Sequence, residues 1–159
     1  TTDFKGRFEL MRERVEAMRV IWTKSKPEFA GKSVSFPPMM TWPKPVQKPH
    51  PPVIVGGAFP YGARRAIAWG DGWLPHARRP HYGELIDVWP EYLKMLGEAG
   101  RDPKTLPVTV YGSKADLDLA RRYRDAGTHA VIVALKAAKA DEVLPVLDRF
   151  ADIMRKTNG

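Results

Sequence analysis

Two consecutive glycines, Gly56 and Gly57, directly follow a short β-branched run, Val53-Ile54-Val55, and a helical pattern opens at Pro60. Glycines at a strand end let a ligand approach the backbone closely. The helix that follows offers unpaired N–H groups and the positive end of its dipole. This combination predicts an anion site, best matched by a phosphate. A second interpretation stays open, in which the glycines only permit a tight turn and close packing of strand and helix.

Other patterns with known chemistry are missing from the sequence. The glycine spacing matches neither the G-x-G-x-x-G of dinucleotide-binding folds nor the G-x-x-x-x-G-K-[ST] of P-loops. The four histidines form no H-x-x-x-H or H-E-x-x-H pair, the chain has no cysteine, and no G-x-S-x-G elbow occurs. We therefore expect neither a metal site nor nucleophilic catalysis.

The glycine turn belongs to a strand–helix pattern that occurs four times. The predicted strands are 53–55, 72–75, 107–111 and 129–134, and the predicted helices are 60–69, 80–99, 115–126 and a last one with Val143, Leu147, Phe150 and Met154 on one face. Repeated strand–helix units predict a parallel sheet, whose βα loops gather at the carboxyl ends of the strands. Two α/β architectures fit, a small open sheet or half of a (β/α)8 barrel.

The remaining sequence precedes these units. We predict a single domain over residues 1–159, with a leading helix (1–24), a proline-rich irregular segment (25–52) and four βα units (53–159). The leading helix carries apolar residues at steps of three and four, with Asp3 as its N-cap. Within the irregular segment, FAGKSVSF is predicted to form a short extended pair.

The charge of the chain points to small anionic ligands. The formal net charge is +8, but Lys and Arg are spread over nearly every segment, with short clusters only at Arg64-Arg65, Arg78-Arg79 and Arg121-Arg122. A nucleic-acid-binding stripe would concentrate them on one element, so we expect no nucleic-acid partner. No apolar run reaches the roughly 18 residues that a membrane span needs. The absence of cysteine fits a reducing cytoplasm, where we expect the protein to reside.

Several short motifs, in a fixed order, together resemble one family. They are RVEAMRVIWT, FAGKSVSF, the linker WPKPVQKPHPP leading into PPVIVGG, then WGDGWLP, EAGRDP before PVTVYG, and DAGTHAVIVAL. In this order and spacing the chain resembles the bacterial-luciferase-like family of flavin- and deazaflavin-dependent oxidoreductases. The likeness extends from about Lys5 to Met154.

The resemblance implies that the chain is the second half of a (β/α)8 barrel. It also implies that backbone N–H groups of Gly56, Gly57 and Ala58 bind the phosphate of FMN or of the deazaflavin coenzyme F420, with the deazaflavin favoured by the glycine ending. The chemistry would be hydride transfer or oxygen activation by that cofactor. The family's first half supplies the ring site, so the active site is expected to be incomplete in these 159 residues.

The same resemblance assigns the loop after the second strand to a small-molecule substrate. His76, Arg78 and Arg79 are its candidate contacts, and Tyr111, at the end of the third strand, is a candidate for the pocket mouth. A half-barrel leaves two open strand edges. We expect its inner face to carry six valines, which are Val53, Val55, Val108, Val110, Val131 and Val133. Self-association or a companion half-barrel would cover it. The alternative function is a non-catalytic phosphate- or nucleotide-binding α/β module, or a self-associating fragment.

Overall fold

The computed structural model describes residues 4–158 and divides the chain into two compact units, Thr1–Val53 and Ile54–Gly159. The boundary falls one residue into the predicted first strand. Each unit is described by itself.

The first unit contains one long helix and one small hairpin. Helix α1 spans Arg7–Thr23, and strands β1 (Phe29–Ala30) and β2 (Ser35–Phe36) pair antiparallel, as predicted for the extended pair. The predicted cap Asp3 lies outside the described residues. The Glu13 carboxylate accepts hydrogen bonds from the backbone N–H groups of Ser33 (2.9 Å) and Val34 (3.2 Å). The bond from Ser33 is the main cause that lowers the pKa of Glu13.

The second unit contains the predicted succession of strands and helices. Its strands are β3 (Ile54–Gly56), β4 (Gly72–Leu74), β5 (Arg78–Arg79), β6 (Gly83–Glu84), β7 (Thr109–Ser113) and β8 (Ala130–Val133). Its α-helices are α2 (Tyr61–Trp69), α3 (Trp89–Glu98), α4 (Leu117–Asp125) and α5 (Ala140–Asn158), and two 3-10 turns cover Leu85–Val88 and Pro103–Thr105.

Four of these strands run parallel in the order β3–β4–β7–β8. Strand β3 pairs with β4 and β7 pairs with β8, both parallel. Two parallel bridges, Trp73 with Val108 and His76 with Tyr111, join β4 to β7. Neighbours in space are therefore also neighbours in sequence among these four strands, which brings their carboxyl ends to one edge.

The two faces of this sheet differ from the expectation. Val55 and Val110 were expected on an inner, open face, but they are buried in the same cluster as residues of α2, α3 and α4. A Cβ on Gly70 would lie 2.7 Å from Cγ2 of Val55, so this valine packs against the end of α2. The alternate positions form the open face instead, where Ile54, Tyr111 and Ile132 are 47%, 43% and 41% exposed.

The predicted helix over 80–99 is wrong in its first part. Strands β5 and β6 form an antiparallel hairpin there, with Gly83 at a φ of +67°, and the α-helix begins only at Trp89. In a helix that ran unbroken over 80–99, Pro90 would kink or split the chain. It lies instead in the first turn of α3, where its missing N–H has no intrahelical acceptor to lose.

Helix α5 packs on α4 and stands away from β8. At 19 residues it is the longest helix in residues 4–158, and Leu144, Leu147 and Met154 remain 56%, 40% and 60% exposed. Proline is best tolerated in the first turn of a helix, but Pro145 is the sixth residue of α5. No helix within the described residues has the length and apolar character that crossing a membrane requires.

Candidate functional site

The candidate site begins with the turn that follows β3. Gly57 has a φ of +132°, a conformation that side-chain-bearing residues rarely adopt. Its N–H donates to the carbonyl oxygen of Leu74 at 3.3 Å, which continues the sheet past the end of β3. A Cβ on Gly56 would meet no atom within 4 Å, so the backbone is open to a ligand on that side.

Helix α2 begins directly against this turn. A Cβ on Gly62 would lie 2.1 Å from the carbonyl oxygen of Gly57, and only glycine fits at that place. A Cβ on Gly57 would in turn lie 2.7 Å from Nη2 of Arg65, so the Arg65 guanidinium group lies beside the turn. Gly62 was missed as a site residue, although a third glycine in the first turn of a helix was a visible signal.

All four carbonyl oxygens from residue 57 to residue 60 accept hydrogen bonds. Two donors come from the backbone of α2, at Gly62 and Arg64, and two come from side chains of other elements, at Trp73 and His81. The bonds are Trp73 Nε1–H to Gly57 O (3.0 Å), Gly62 N–H to Ala58 O (2.7 Å), His81 Nε2–H to Phe59 O (2.9 Å) and Arg64 N–H to Pro60 O (3.0 Å). Because a carbonyl oxygen only accepts, Nε2 of His81 carries the proton. The turn therefore directs its carbonyl lone pairs at donors within the protein.

His76 and Tyr111 lie together at the ends of β4 and β7. Their rings meet edge to face with centroids 5.3 Å apart, and Ala77 N–H donates to Tyr111 O at 2.8 Å. Desolvation by burial, and secondarily the charge of Arg79, lower the pKa of His76 below its ordinary value of 6.5. The ring is therefore neutral near pH 7. As register partners, both side chains project to the open face of the sheet, the same face as Gly56.

The two arginines of the hairpin have different surroundings. Arg78 is exposed, and its Nε lies 3.8 Å from the Glu84 carboxylate, which also lies 3.6 Å from Nζ of Lys114. Arg79 is half-buried, close enough to His76 to affect its pKa. The structure thus brings Arg79 near His76, whose ring contacts Tyr111, while Arg78 lies near the Glu84 carboxylate on the neighbouring strand.

A separate cavity of the second unit lies away from these residues. It has a volume of about 630 Å³ and runs between β8 and α5. Val131, Leu147 and Phe150 line it, and none of the predicted site residues does. The cavity lies where α5 is separated from the sheet. We do not place the predicted phosphate site in it. Within residues 4–158, no three His, Cys, Asp or Glu side chains are grouped so that they could hold a metal ion.

Comparison with known proteins gives a family match. The model of a protein family described as "Luciferase-like monooxygenase" matches residues 1–143. The uncharacterized protein Rv0953c of Mycobacterium tuberculosis is 33% identical over 152 residues, which cover 89% of this chain and 49% of that protein. An F420-dependent hydroxymycolic acid dehydrogenase of the same organism is 26% identical over 115 residues, covering 72% of this chain and 29% of its own length.

Two solved structures share the fold. The monooxygenase RslO1 from Streptomyces bottropensis superposes with a TM-score of 0.54 at 22% identity, over 97% of this chain and 46% of that one. DmoA from Hyphomicrobium sulfonivorans gives 0.54 at 13% identity, over 99% and 45%. At these identities the likeness concerns the fold alone. The chain thus spans about half the length of Rv0953c and of RslO1.

Proposed function

Since this chain belongs to the luciferase-like monooxygenase family, as its motifs had indicated, we propose that the turn Gly56–Gly57–Ala58 binds the phosphate of FMN or of the deazaflavin coenzyme F420. The observation that carries the proposal is the open space beside Gly56, in front of a turn in which the carbonyl oxygens of residues 57–60 all accept hydrogen bonds. The Gly57 N–H already donates to Leu74 O, so the proposed phosphate donors within the turn are the N–H groups of Gly56 and Ala58. Backbone N–H groups near the amino end of α2 and its dipole favour an anion there.

The residues present fit such a group. No side chain obstructs the Gly56 side of the turn, and the Arg65 guanidinium beside Gly57 adds positive charge. When bound, the cofactor supplies hydride transfer or oxygen activation, and the protein supplies binding and orientation. The F420-dependent relative, at 26% identity, supports the deazaflavin as the first candidate.

We further propose that His76, Arg79 and Tyr111 contact a small-molecule substrate. His76 and Tyr111 lie at the carboxyl edge of the sheet, on the face to which the glycine turn is open, and Arg79 is close enough to His76 to affect its pKa. A neutral His76 accepts or donates one hydrogen bond, and Arg79 adds an anion-binding charge. Arg78 remains a weaker candidate because Glu84 offers it a carboxylate within the same hairpin.

The rest of the active site belongs to the proposal as well. The chain covers 49% of the length of its relative Rv0953c, and the family's ring site is expected from another segment. We propose that this unit is half of a (β/α)8 barrel. The open face with Ile54, Tyr111 and Ile132 would be covered by a second copy or a companion half-barrel. We propose no nucleic-acid partner.

The testing experiment is a fluorescence titration of the chain with FMN and, separately, with F420, using inorganic phosphate as competitor. We expect saturable binding that phosphate displaces and that Gly56→Val abolishes. The valine side chain enters open space, so the fold tolerates it while the ligand's approach is blocked. Gly97→Ala, also into open space but on α3, is the matched control and leaves binding unchanged. No binding of either cofactor by the unchanged protein would favour the alternative, a non-catalytic module or self-associating fragment.

A further inference from the structure

We infer that His81 is a positioning residue that makes the glycine turn selective for anions, through its hydrogen bond to the Phe59 carbonyl oxygen. The inference rests on the proposed phosphate site. No sequence pattern marks His81, because the two residues of this contact stand 22 positions apart.

The argument begins with what a turn presents to a ligand. Successive peptide groups carry both N–H donors and carbonyl acceptors, and a carbonyl oxygen that faces a phosphate repels it. A turn binds an anion well only when its carbonyl groups are held away and its N–H groups are left facing the ligand. In this turn, Ala58 O and Pro60 O are held by the backbone of α2. Gly57 O and Phe59 O depend on side chains.

The two side-chain donors differ in how firmly packing holds them. Trp73 is fully buried and belongs to the core, so its indole N–H is fixed by packing. His81 lies in the exposed hairpin between β5 and β6 and has no comparable place in the core. Besides the packing of the buried Phe59 side chain, the Phe59 carbonyl oxygen is held by this one partly buried hydrogen bond of 2.9 Å from the hairpin.

The hairpin that carries His81 is itself anchored to the substrate side of the site. The Tyr82 hydroxyl donates to His76 O at 2.7 Å, and Leu85 N–H donates to Ala77 O at 2.7 Å. The rings of His81 and Tyr82 meet edge to face with centroids 4.8 Å apart. The β5–β6 hairpin thus bonds both to the backbone at His76 and to the carbonyl oxygen of Phe59. A displacement of the hairpin at one of these contacts should therefore also affect the other.

The test compares FMN with riboflavin, which has the same ring and no phosphate. We expect His81→Ala to weaken FMN binding about 3- to 10-fold, the range of one neutral hydrogen bond, and to leave riboflavin binding unchanged. His81→Gln places an amide N–H near the position of Nε2 and should bind FMN within about 2-fold of the unchanged protein. His129→Ala, at another exposed histidine of the same unit, is the matched control.

A second readout follows the turn directly. Addition of inorganic phosphate should shift the amide resonances of Gly56 and Ala58 at lower concentration in the unchanged protein than in His81→Ala. Equal losses for FMN and riboflavin, or no loss for either, would overturn the role of His81 while leaving the phosphate site intact. Failure of the unchanged protein to bind FMN, F420 and phosphate would overturn the proposed function and this inference with it.

Discussion

The guanidinium group of Arg101 donates to the carbonyl oxygen of Gly70 at 2.7 Å, and to those of Ala66 and Ile67 at 3.0 and 2.7 Å. Ala66 and Ile67 belong to the last turn of α2 and Gly70 is its C-cap, where carbonyl groups lack full sets of partners within the helix, although Ala66 O also accepts from the Gly70 N–H at 2.9 Å. A positive charge at this end also complements the helix dipole. Helix α2 is therefore fixed at its carboxyl end by Arg101 and at its amino end by the glycine turn.

Removing this cap should destabilise the second unit. Arg101→Met keeps much of the aliphatic stem and loses the donors, so we expect the free energy of unfolding to fall by about 1–3 kcal/mol. Arg101→Lys should lower the free energy of unfolding by less. The ammonium group still reaches some of the carbonyl oxygens, but it lacks the paired N–H donors of the guanidinium group. Urea denaturation measures both, with Arg121→Met at an exposed arginine as the control. Equal stability of Arg101→Met and the control would contradict the capping role.

The contact between helix α2 and the turn should tolerate no side chain. Gly62→Ala places a methyl group 2.1 Å from Gly57 O, so the turn or the helix must move. We expect a loss of about 1–3 kcal/mol in stability together with weaker phosphate binding. Gly97→Ala, which meets no atom within 4 Å, should instead be neutral or stabilise the protein by up to about 1 kcal/mol. Thermal unfolding of both variants measures the difference in stability. If Gly62→Ala were as stable as the unchanged protein, the close approach of Gly62 to the Gly57 carbonyl oxygen would be refuted.

Tyr92 should make the protein sensitive to alkali. Burial raises the pKa of Tyr92 to about 12, against a small opposing effect of Arg101. A tyrosine whose pKa is raised on folding contributes stability that is complete below its unfolded value, near 10, and is lost as the pH rises towards 12. Tyr92→Phe should show a smaller loss over this range. Burial also raises the pKa of Tyr123, so part of the loss should remain in the variant.

At neutral pH the same substitution should cost little. The Tyr92 hydroxyl is buried and has no hydrogen-bond partner within residues 4–158, while its ring packs between Trp73 and Trp89 at centroid distances of 4.8 and 5.1 Å. Tyr92→Phe keeps that packing, and we expect stability within about 1 kcal/mol of the unchanged protein. A larger loss would mean that the hydroxyl has a partner.

The titration of His76 tests its surroundings. Burial is the larger cause of its lowered pKa and the charge of Arg79 the smaller one. Arg79→Gln should therefore raise the pKa of His76 without restoring its ordinary value of 6.5, as followed by the ring resonances in NMR. Because this pKa is lowered on folding, the associated stability is present above 6.5 and is lost as the pH falls through the folded value. If the pKa of His76 were unchanged in Arg79→Gln, the charge of Arg79 would have no effect on His76, and the proposed proximity of the two side chains would be contradicted.

The open sheet face predicts association. Ile54, Tyr111 and Ile132 expose apolar surface beside unpaired strand edges at β3 and β8, which favours contact with another chain. Sedimentation at micromolar concentration should reveal dimers or larger species, and Ile132→Lys should shift them towards monomer. A well-behaved monomer of the unchanged chain would count against self-association and leave a companion half-barrel as the expected cover.

The strands and their order follow from local sequence signals. The β-branched run before Gly56 and the glycine at Gly127 mark where strands and helices end, and the observed bounds differ from the predicted ones by two residues at most for α2, β4, α4 and β8. The parallel pairing follows from the alternation of strand and helix, because each crossover returns the chain in the same direction.

The hairpin of β5 and β6 and the direction of the valines were not predictable in this way. Pro80 is typical of a helix start, but here it lies between two strands, and the positive φ of Gly83 permits the turn. A run of apolar strand residues has no alternation that distinguishes its two faces, so Val55 could not be assigned to the helix side. The donors to Gly57 and Phe59 come from 16 and 22 residues away, beyond any local pattern.

The cavity of about 630 Å³ between β8 and α5 also has a consequence for hydrogen exchange. Helix α5 is tied to its unit mainly through α4, with Arg124 donating to the Thr157 carbonyl oxygen and Arg149 donating to Ala115 O at 3.0 Å. Few apolar contacts must break for it to open, so its opening free energy lies well below that of global unfolding. Amide protons of α5 should exchange in a local, denaturant-independent process, while those of β7 exchange only when the whole unit unfolds.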